Sequence, residues 1–230
     1  MAKRKGKIIS YEGTDGSGKK TNSLRAAAAL NEMGFPTRWL TFPVYDHPFG
    51  KMIGGPFLGK PEIGESYFDD PSKVDRISAS LLYAAERRYE LPLINKILNS
   101  GENIIFDRWV DSNKGMQGGK IRDPVEREKF FNWIDELEYR IVGLPRPDIK
   151  IFLYMPFDVA MELQRKNNKR KDKVENDEDY LRNSEESYLQ LTKGNDWKRI
   201  NCTLDGTMET LRPIEDISNE ALEHILKNLR

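Results

Sequence analysis

The sequence predicts an α/β protein in which a parallel sheet of about five strands is covered by helices on both faces. Three observations predict it. Short apolar runs alternate with stretches of helical period along the whole chain. A glycine-rich segment separates the first run from the first helical stretch, as in a strand–turn–helix opening. The 230 residues suffice for one α/β unit with a full core and fall short of two.

Lys7 to Glu12 leans towards apolar residues and is expected as a strand; Leu24 to Met33, rich in Ala and Leu, follows as a helix that Gly34 closes. Thr37 to Phe42 is the second strand, and it stops at Pro43, which lacks the N–H a ladder needs. Tyr45 to Asp70 carries many Gly and Pro residues and reads as loop with short helical pieces. From Lys73 to Asn99 apolar residues such as Val74, Ile77, Leu81, Leu91, Ile94 and Leu98 recur at helical period, so one long helix is expected, with Pro92 the place for a kink. Asn103 to Phe106 and Ile149 to Tyr154 are compact runs of the buried-strand kind, with a helical pattern from Val125 to Val142 between them. Met161 to Leu191 is charge-rich and mostly helical, Trp197 to Cys202 suits a last strand, and Ile214 to Leu229 suits a closing helix. No repeat or low-complexity linker divides the chain, so residues 1–230 read as one domain.

The 37 basic residues balance 37 acidic ones, so bulk charge argues against a nucleic-acid or membrane-surface partner. The basic start, Lys3 to Lys7, is followed by Ile8 and Ile9 alone before Ser10, so no secretory leader is expected. Ile151 to Phe157 is the longest apolar run, far below the roughly 18 residues of a membrane span. A lone cysteine, Cys202, forms no intrachain disulfide and suits a reducing, cytoplasmic setting.

Gly13-Thr14-Asp15-Gly16-Ser17-Gly18-Lys19 fits the first seven positions of the Walker A phosphate loop, between an expected strand and an expected helix. Glycines let backbone amides turn inward around phosphate oxygens, the helix N-terminus adds positive partial charge, and Lys19 reaches the outer phosphates of ATP. The loop, taken as residues 13–21, departs from the pattern at Lys20, where a Ser or Thr hydroxyl ordinarily ligates Mg2+. Thr21 follows one residue late on another side of the helix. Either carboxylates and nucleotide hold the metal while Lys20 faces away, or the loop binds nucleotide without turnover.

The run Glu12 to Lys19 resembles the opening of thymidylate kinases, and further segments in the same order resemble that family too. They are Phe42-Pro43, Asp107-Arg108-Trp109-Val110-Asp111-Ser112-Asn113 with Gln117, Gly143 to Asp148, and Arg165 to Glu175 with Tyr188. The resemblance implies a P-loop kinase that moves the γ-phosphoryl of ATP to dTMP, giving dTDP and ADP, with Mg2+ as cofactor and a homodimer as the assembly. It also implies that Arg108 grips the acceptor phosphate and that Asp15 and Asp107 lie near the metal. A planar guanidinium can hold two phosphate oxygens at once. Tyr83 and Arg87, four apart on one helix face, match positions that stack on thymine and bond its carbonyl, and Asn113 matches the position that reads the base edge. Phe42, Pro43, Ser112 and Gln117 complete the expected acceptor site. Met116 replaces an aromatic that in the family crowds the sugar, which leaves discrimination between ribose and deoxyribose open. Val44 and Tyr45 stand where an Arg often follows Phe-Pro, so Tyr45 is expected to offer a hydroxyl instead.

Six basic residues fall between Arg165 and Lys173, and the sign then flips through Glu175, Asp177, Glu178 and Asp179. A mobile basic lid over residues 165–176 would aim positive charge at the phosphoryl group in flight and exclude water. Gly16 stands where one branch of the family keeps a basic residue, a likeness to the branch that draws catalytic arginine from the lid; Arg165 and Arg170 are the expected residues. Asp172 and Glu175 match lid carboxylates that face sugar and phosphates. The competing readings are a kinase of the same fold with another nucleoside monophosphate, a silent nucleotide-binding protein, and a nucleic-acid patch at the basic block.

Overall fold

The computed structural model describes residues 5–166 and 177–229. Five parallel strands form one sheet: β1 (Ile8–Gly13), β2 (Thr37–Thr41), β3 (Asn103–Asp107), β4 (Ile149–Tyr154) and β5 (Trp197–Asn201), in the order β2-β3-β1-β4-β5. β1 is central, with Ile9 paired to Ile105 on one side and to Ile149 on the other.

Strand residues alternate between two apolar layers, as a period of two requires. Ile9, Tyr11, Ile105, Ile151 and Leu153 face one cluster, which α1 (Lys19–Glu32) and α8 (Ile214–Leu229) cover through Ala26, Leu30, Ala221 and Ile225. Ile8, Ile104 and Phe106 face the other, covered by α3 (Arg76–Ser100) and α5 (Pro124–Asp135) through Leu91, Ile94, Leu98, Phe130 and Phe131. Each fully buried isoleucine contributes roughly 1.5–3 kcal/mol as an upper figure.

Local chemistry sets the helix ends. Asp75 caps α3 by accepting from the Ser78 N–H at 2.9 Å, and Gly101, at φ 97°, terminates it. Pro92 lies inside α3, which runs on past it. Asp123 caps α5 with Pro124 in the first turn, and a π-helical turn, Glu136–Ile141, extends the helical run as far as the sequence pattern implied. The Tyr45 to Asp70 stretch holds α2 (Pro48–Met52) and a π-helical turn, Ile53–Phe57. The charge-rich stretch yields α6 (Phe157–Lys166) and α7 (Glu178–Leu191).

The sequence pattern did not reveal α4 (Val110–Gly118), nearly all of whose side chains are buried although most are polar. It starts three residues beyond β3 and crosses the C-terminal edge of the sheet. That edge, where the chain turns from building on the β3 side of β1 to building on its β4 side, is where open α/β sheets place ligands. Among the described residues no helix is long and apolar enough to cross a membrane.

Candidate active site

β1 delivers the chain into the glycine-rich loop and α1 takes it away, as the sequence pattern required. Gly13, at φ 155°, passes so near β4 that a Cβ there would come within 2.5 Å of the Leu153 carbonyl oxygen, so a side chain would push the loop off the sheet. Gly18 caps α1 in the left-handed conformation at φ 75°, where other residues are strained. Lys19 is buried and its Nζ donates to the Thr14 carbonyl at 2.7 Å, closing the loop on itself. Burial, with the positive charge of Arg108 nearby, pushes the Lys19 ammonium down to about 8. Lys20 and Thr21 are both exposed on α1.

β3 ends at Asp107, whose Oδ1 is buried and has no hydrogen-bond partner among the described residues. The next residue, Arg108, is the one non-glycine described residue at positive φ, 72°. Its Nη2 donates to Asp15 Oδ1 across the loop. The Asp15 carboxylate beside it holds the guanidinium pKa well above its usual value despite burial.

Glu12 supports α4 from below. Its carboxylate accepts the Trp109 N–H at 2.8 Å and the Ser112 hydroxyl, so a side chain of β1 caps the start of α4 from a distance. Burial, then the Asp111 charge, push Glu12 up to about 8.

Of these groups Asp15, Arg108 and Ser112 border one cavity. Asp15, Phe42, Pro43, Tyr45 and Arg108 line its strand-end side, and Tyr83, Arg87, Asn113 and Gln117 its helix side; Ser112, Met116 and Tyr180 line it as well. Arg87 and Asn113 are organised by a residue that sequence reading missed, Glu138. Arg87 Nε and Nη2 donate to its two oxygens at 2.6 and 2.5 Å, and Asn113 Nδ2 donates to Oε1 at 2.8 Å. Asn113 Oδ1 and Gln117 Oε1 are buried without a partner among the described residues, which leaves two acceptors beside a cavity that could take an N–H from a ligand. Phe106 and Trp109 stack face to face with centroids 4.2 Å apart, and Phe42 packs against both at a tilt, while the buried Glu86 carboxylate accepts the Val44 N–H at 2.6 Å and steadies the Phe42-Pro43 exit from β2. Met116 packs against Phe157, Met161, Tyr180 and Leu181, so α6 and α7 back the wall that Met116 and Tyr180 present to the cavity.

Sequence reading also missed Glu12, Lys60, Lys120 and Tyr180. Glu12 adjoins the glycine motif, and that proximity was its only signal; the others are brought to the cavity by chain folding. Arg165 lies near the end of α6, exposed, with Nη2 3.7 Å from Glu178 Oε1. Arg170, Asp172 and Glu175 lie outside the described residues.

The residues present fit a magnesium ion. Asp107 offers a buried carboxylate oxygen with no partner among the described residues, and Asp107 and Asp15 both lie near enough to Lys19 to act on its charge. Among the described residues no group of three or more His, Cys, Asp or Glu could hold a metal.

Comparison with known proteins points to one family. The family model described as thymidylate kinase matches residues 11–212. The chain is 32% identical over 156 residues to thymidylate kinase of Homo sapiens, which covers 67% of this chain and 64% of that protein. It is 27% identical over 218 residues to thymidylate kinase of Dictyostelium discoideum, covering 94% of this chain and 83% of that one. A solved structure of thymidylate kinase from Candida albicans superposes with a TM-score of 0.70 over 99% of this chain and 94% of that chain, at 22% identity, a likeness of fold.

Proposed function

The chain belongs to the thymidylate kinase family, phosphotransferases acting on dTMP, and from that premise we propose that it transfers the γ-phosphoryl group of ATP to dTMP, releasing dTDP and ADP. The observation that carries the reading is that the phosphate loop and Arg108 meet through Asp15 at one end of a cavity whose other end offers Tyr83, Arg87 and Asn113. A nucleoside monophosphate laid along that cavity puts its phosphate beside Arg108 and its base beside Tyr83.

The chemistry is positioning and charge compensation. The amides of Gly13 to Lys19 cradle the phosphates of ATP, and Lys19 exchanges its bond to the Thr14 carbonyl for phosphate oxygens. Arg108 holds the acceptor phosphate in line for attack, so no general base is required. Asp107 and Asp15 are the residues that would hold magnesium, which when bound neutralises charge on the nucleotide phosphates. Arg165 and Arg170 are assigned the task of offsetting charge on the transferring group and Glu175 a part in substrate binding, the last two lying outside the described residues. The exposed side chain of Lys20 lets α1 carry a lysine where a hydroxyl is usual.

On the base side, Asn113 Oδ1 and Gln117 Oε1 suit the single N–H on the edge of thymine, and Arg87 suits a carbonyl. Met116 makes the sugar wall apolar and adaptable. A homodimer is supported by an apolar stripe along α3, where Leu81, Tyr89 and Leu93 are 47, 49 and 43% exposed at spacings of eight and four. A cytoplasmic setting suits a chain with one buried, unpaired cysteine.

A panel of acceptors (dTMP, dUMP, dCMP, dGMP and ribothymidine monophosphate) with labelled ATP and titrated magnesium tests the reading. Transfer to dTMP above all others is expected; preference for another base removes the thymine assignment.

A further inference from the structure

A phosphate monoester carries about −1.5 to −2 charge at neutral pH, and the strand-end side of the cavity has to offset it. Arg108 on that side is already paired with Asp15. Lys19 closes the phosphate loop, and Lys20 is exposed on α1 and does not line the cavity. Two further ammonium groups border the cavity among the described residues, those of Lys60 and Lys120. Lys120 has its Nζ donating to the Val74 carbonyl at 2.6 Å and lying 5.8 Å from the centre of the Tyr180 ring, which engages it on the helix side of the cavity.

Lys60 is placed by the way the helical run after α2 ends. Leu58 N–H donates to the Ile53 carbonyl, Gly59 N–H to that of Gly55, and Lys60 N–H to that of Gly54, each at 2.8 Å. Gly59 sits at φ 67°, the left-handed turn that lets the chain reverse and sends Lys60 back over the helical run. The Lys60 ammonium lies 5.4 Å from the centre of the Tyr45 ring. That ring packs on Gly54 so closely that a Cβ there would come within 2.9 Å of Tyr45 Cδ1. Tyr45 in turn lies two residues past Pro43, and Phe42 N–H donates to the Asp107 carbonyl at 3.1 Å, next to Arg108. The Tyr45–Lys60 pair therefore belongs to the phosphate side of the cavity.

We propose that Lys60 is the second cation of the acceptor site, contacting the phosphate of the nucleoside monophosphate opposite Arg108 while the Tyr45 ring guides its stem. This rests on the reading of the cavity as an acceptor site, and it makes Lys60 a determinant of preference for phosphorylated over unphosphorylated nucleosides. The contact is charge-assisted and forms only when the phosphate is present.

Calorimetric titration of the full chain with dTMP and with thymidine, for wild type, Lys60→Met and Lys60→Arg, tests it. Methionine keeps the apolar stem over Tyr45 and removes the charge. The expected result is a roughly ten- to hundredfold loss of dTMP affinity in Lys60→Met, with thymidine affinity unchanged and Lys60→Arg retaining most of the dTMP affinity. Unchanged dTMP affinity in Lys60→Met overturns the proposal, and so does a parallel loss for dTMP and thymidine, the mark of a packing role. Wild-type protein that binds dTMP yet transfers no phosphoryl group sinks the kinase reading alone, whereas protein that binds no dTMP sinks both.

Discussion

Arg108 donates its guanidinium to the Asp15 carboxylate, so the residue after β3 and the second loop residue after β1 are joined across the sheet edge. Arg108 reaches that partner from a left-handed backbone at φ 72°, a conformation that costs an ordinary residue about 1–2 kcal/mol. Strain of this kind gathers where geometry serves function.

Replacing Arg108 therefore separates activity from stability. Arg108→Ala is expected to lower kcat/KM for dTMP by about two orders of magnitude or more, and Arg108→Lys to recover little, because a point charge lacks the planar fork. Arg108→Gly should be equally inactive yet unfold with about 0.5–1 kcal/mol more stability than Arg108→Ala, since glycine relieves the left-handed backbone. Steady-state kinetics and urea titration of the three variants check both halves.

Lys19 sets a pH dependence on ATP binding. In the free protein burial and Arg108 depress its pKa to about 8, and the phosphates of ATP raise it again. Below that value the ammonium is charged in both states, so affinity does not depend on it. As pH rises through about 8 the free protein loses a proton that the complex keeps, so affinity falls and binding takes up a proton. Calorimetry in two buffers of different ionisation heat should detect uptake near pH 9 that vanishes in Lys19→Met.

Glu138 carries a structural load at the base side. It is fully buried, holds both Arg87 and Asn113, and neutralises a guanidinium that is itself 2% exposed. Glu138→Ala strands that charge and is expected to cost about 3–5 kcal/mol in chemical denaturation. Thymidine binding should weaken with it, because Arg87 and Asn113 lose their common anchor.

The strands and the phosphate loop were legible because their signals are local. Apolar runs marked β1, β3 and β4, and the glycine pattern falls between β1 and α1 as expected. Helix α4 was not legible. Asp111, Ser112, Asn113, Lys114 and Gln117 are polar and Gly115 and Gly118 disfavour helix, so no apolar period marks it. Its burial is supported by distant partners, Glu12 at the start and Glu138 in the middle, which no window along the chain contains. Lys60 was hidden likewise, since only the turn at Gly59 brings it to the cavity. Pro92 was expected as a weak point, yet it is exposed within α3 while Leu91 and Ile94 on either side are buried in the core.

The basic segment gives a kinetic prediction. Arg170→Ala should lower turnover by about three orders of magnitude while ATP affinity changes little, since charge on the group in flight exists only in the transition state. Single-turnover kinetics with saturating ATP measures it, and unchanged turnover removes Arg170 from the mechanism.

The central claim is direct phosphoryl transfer between two nucleotides held end to end. Phosphorus NMR of the purified chain with magnesium, ATP and dTMP follows every phosphorus at once. The account predicts that the γ-phosphorus of ATP disappears as the β-phosphorus of dTDP appears, in step with ADP and without inorganic phosphate. ATP that binds and persists beside unchanged dTMP, or that yields only inorganic phosphate, would contradict it.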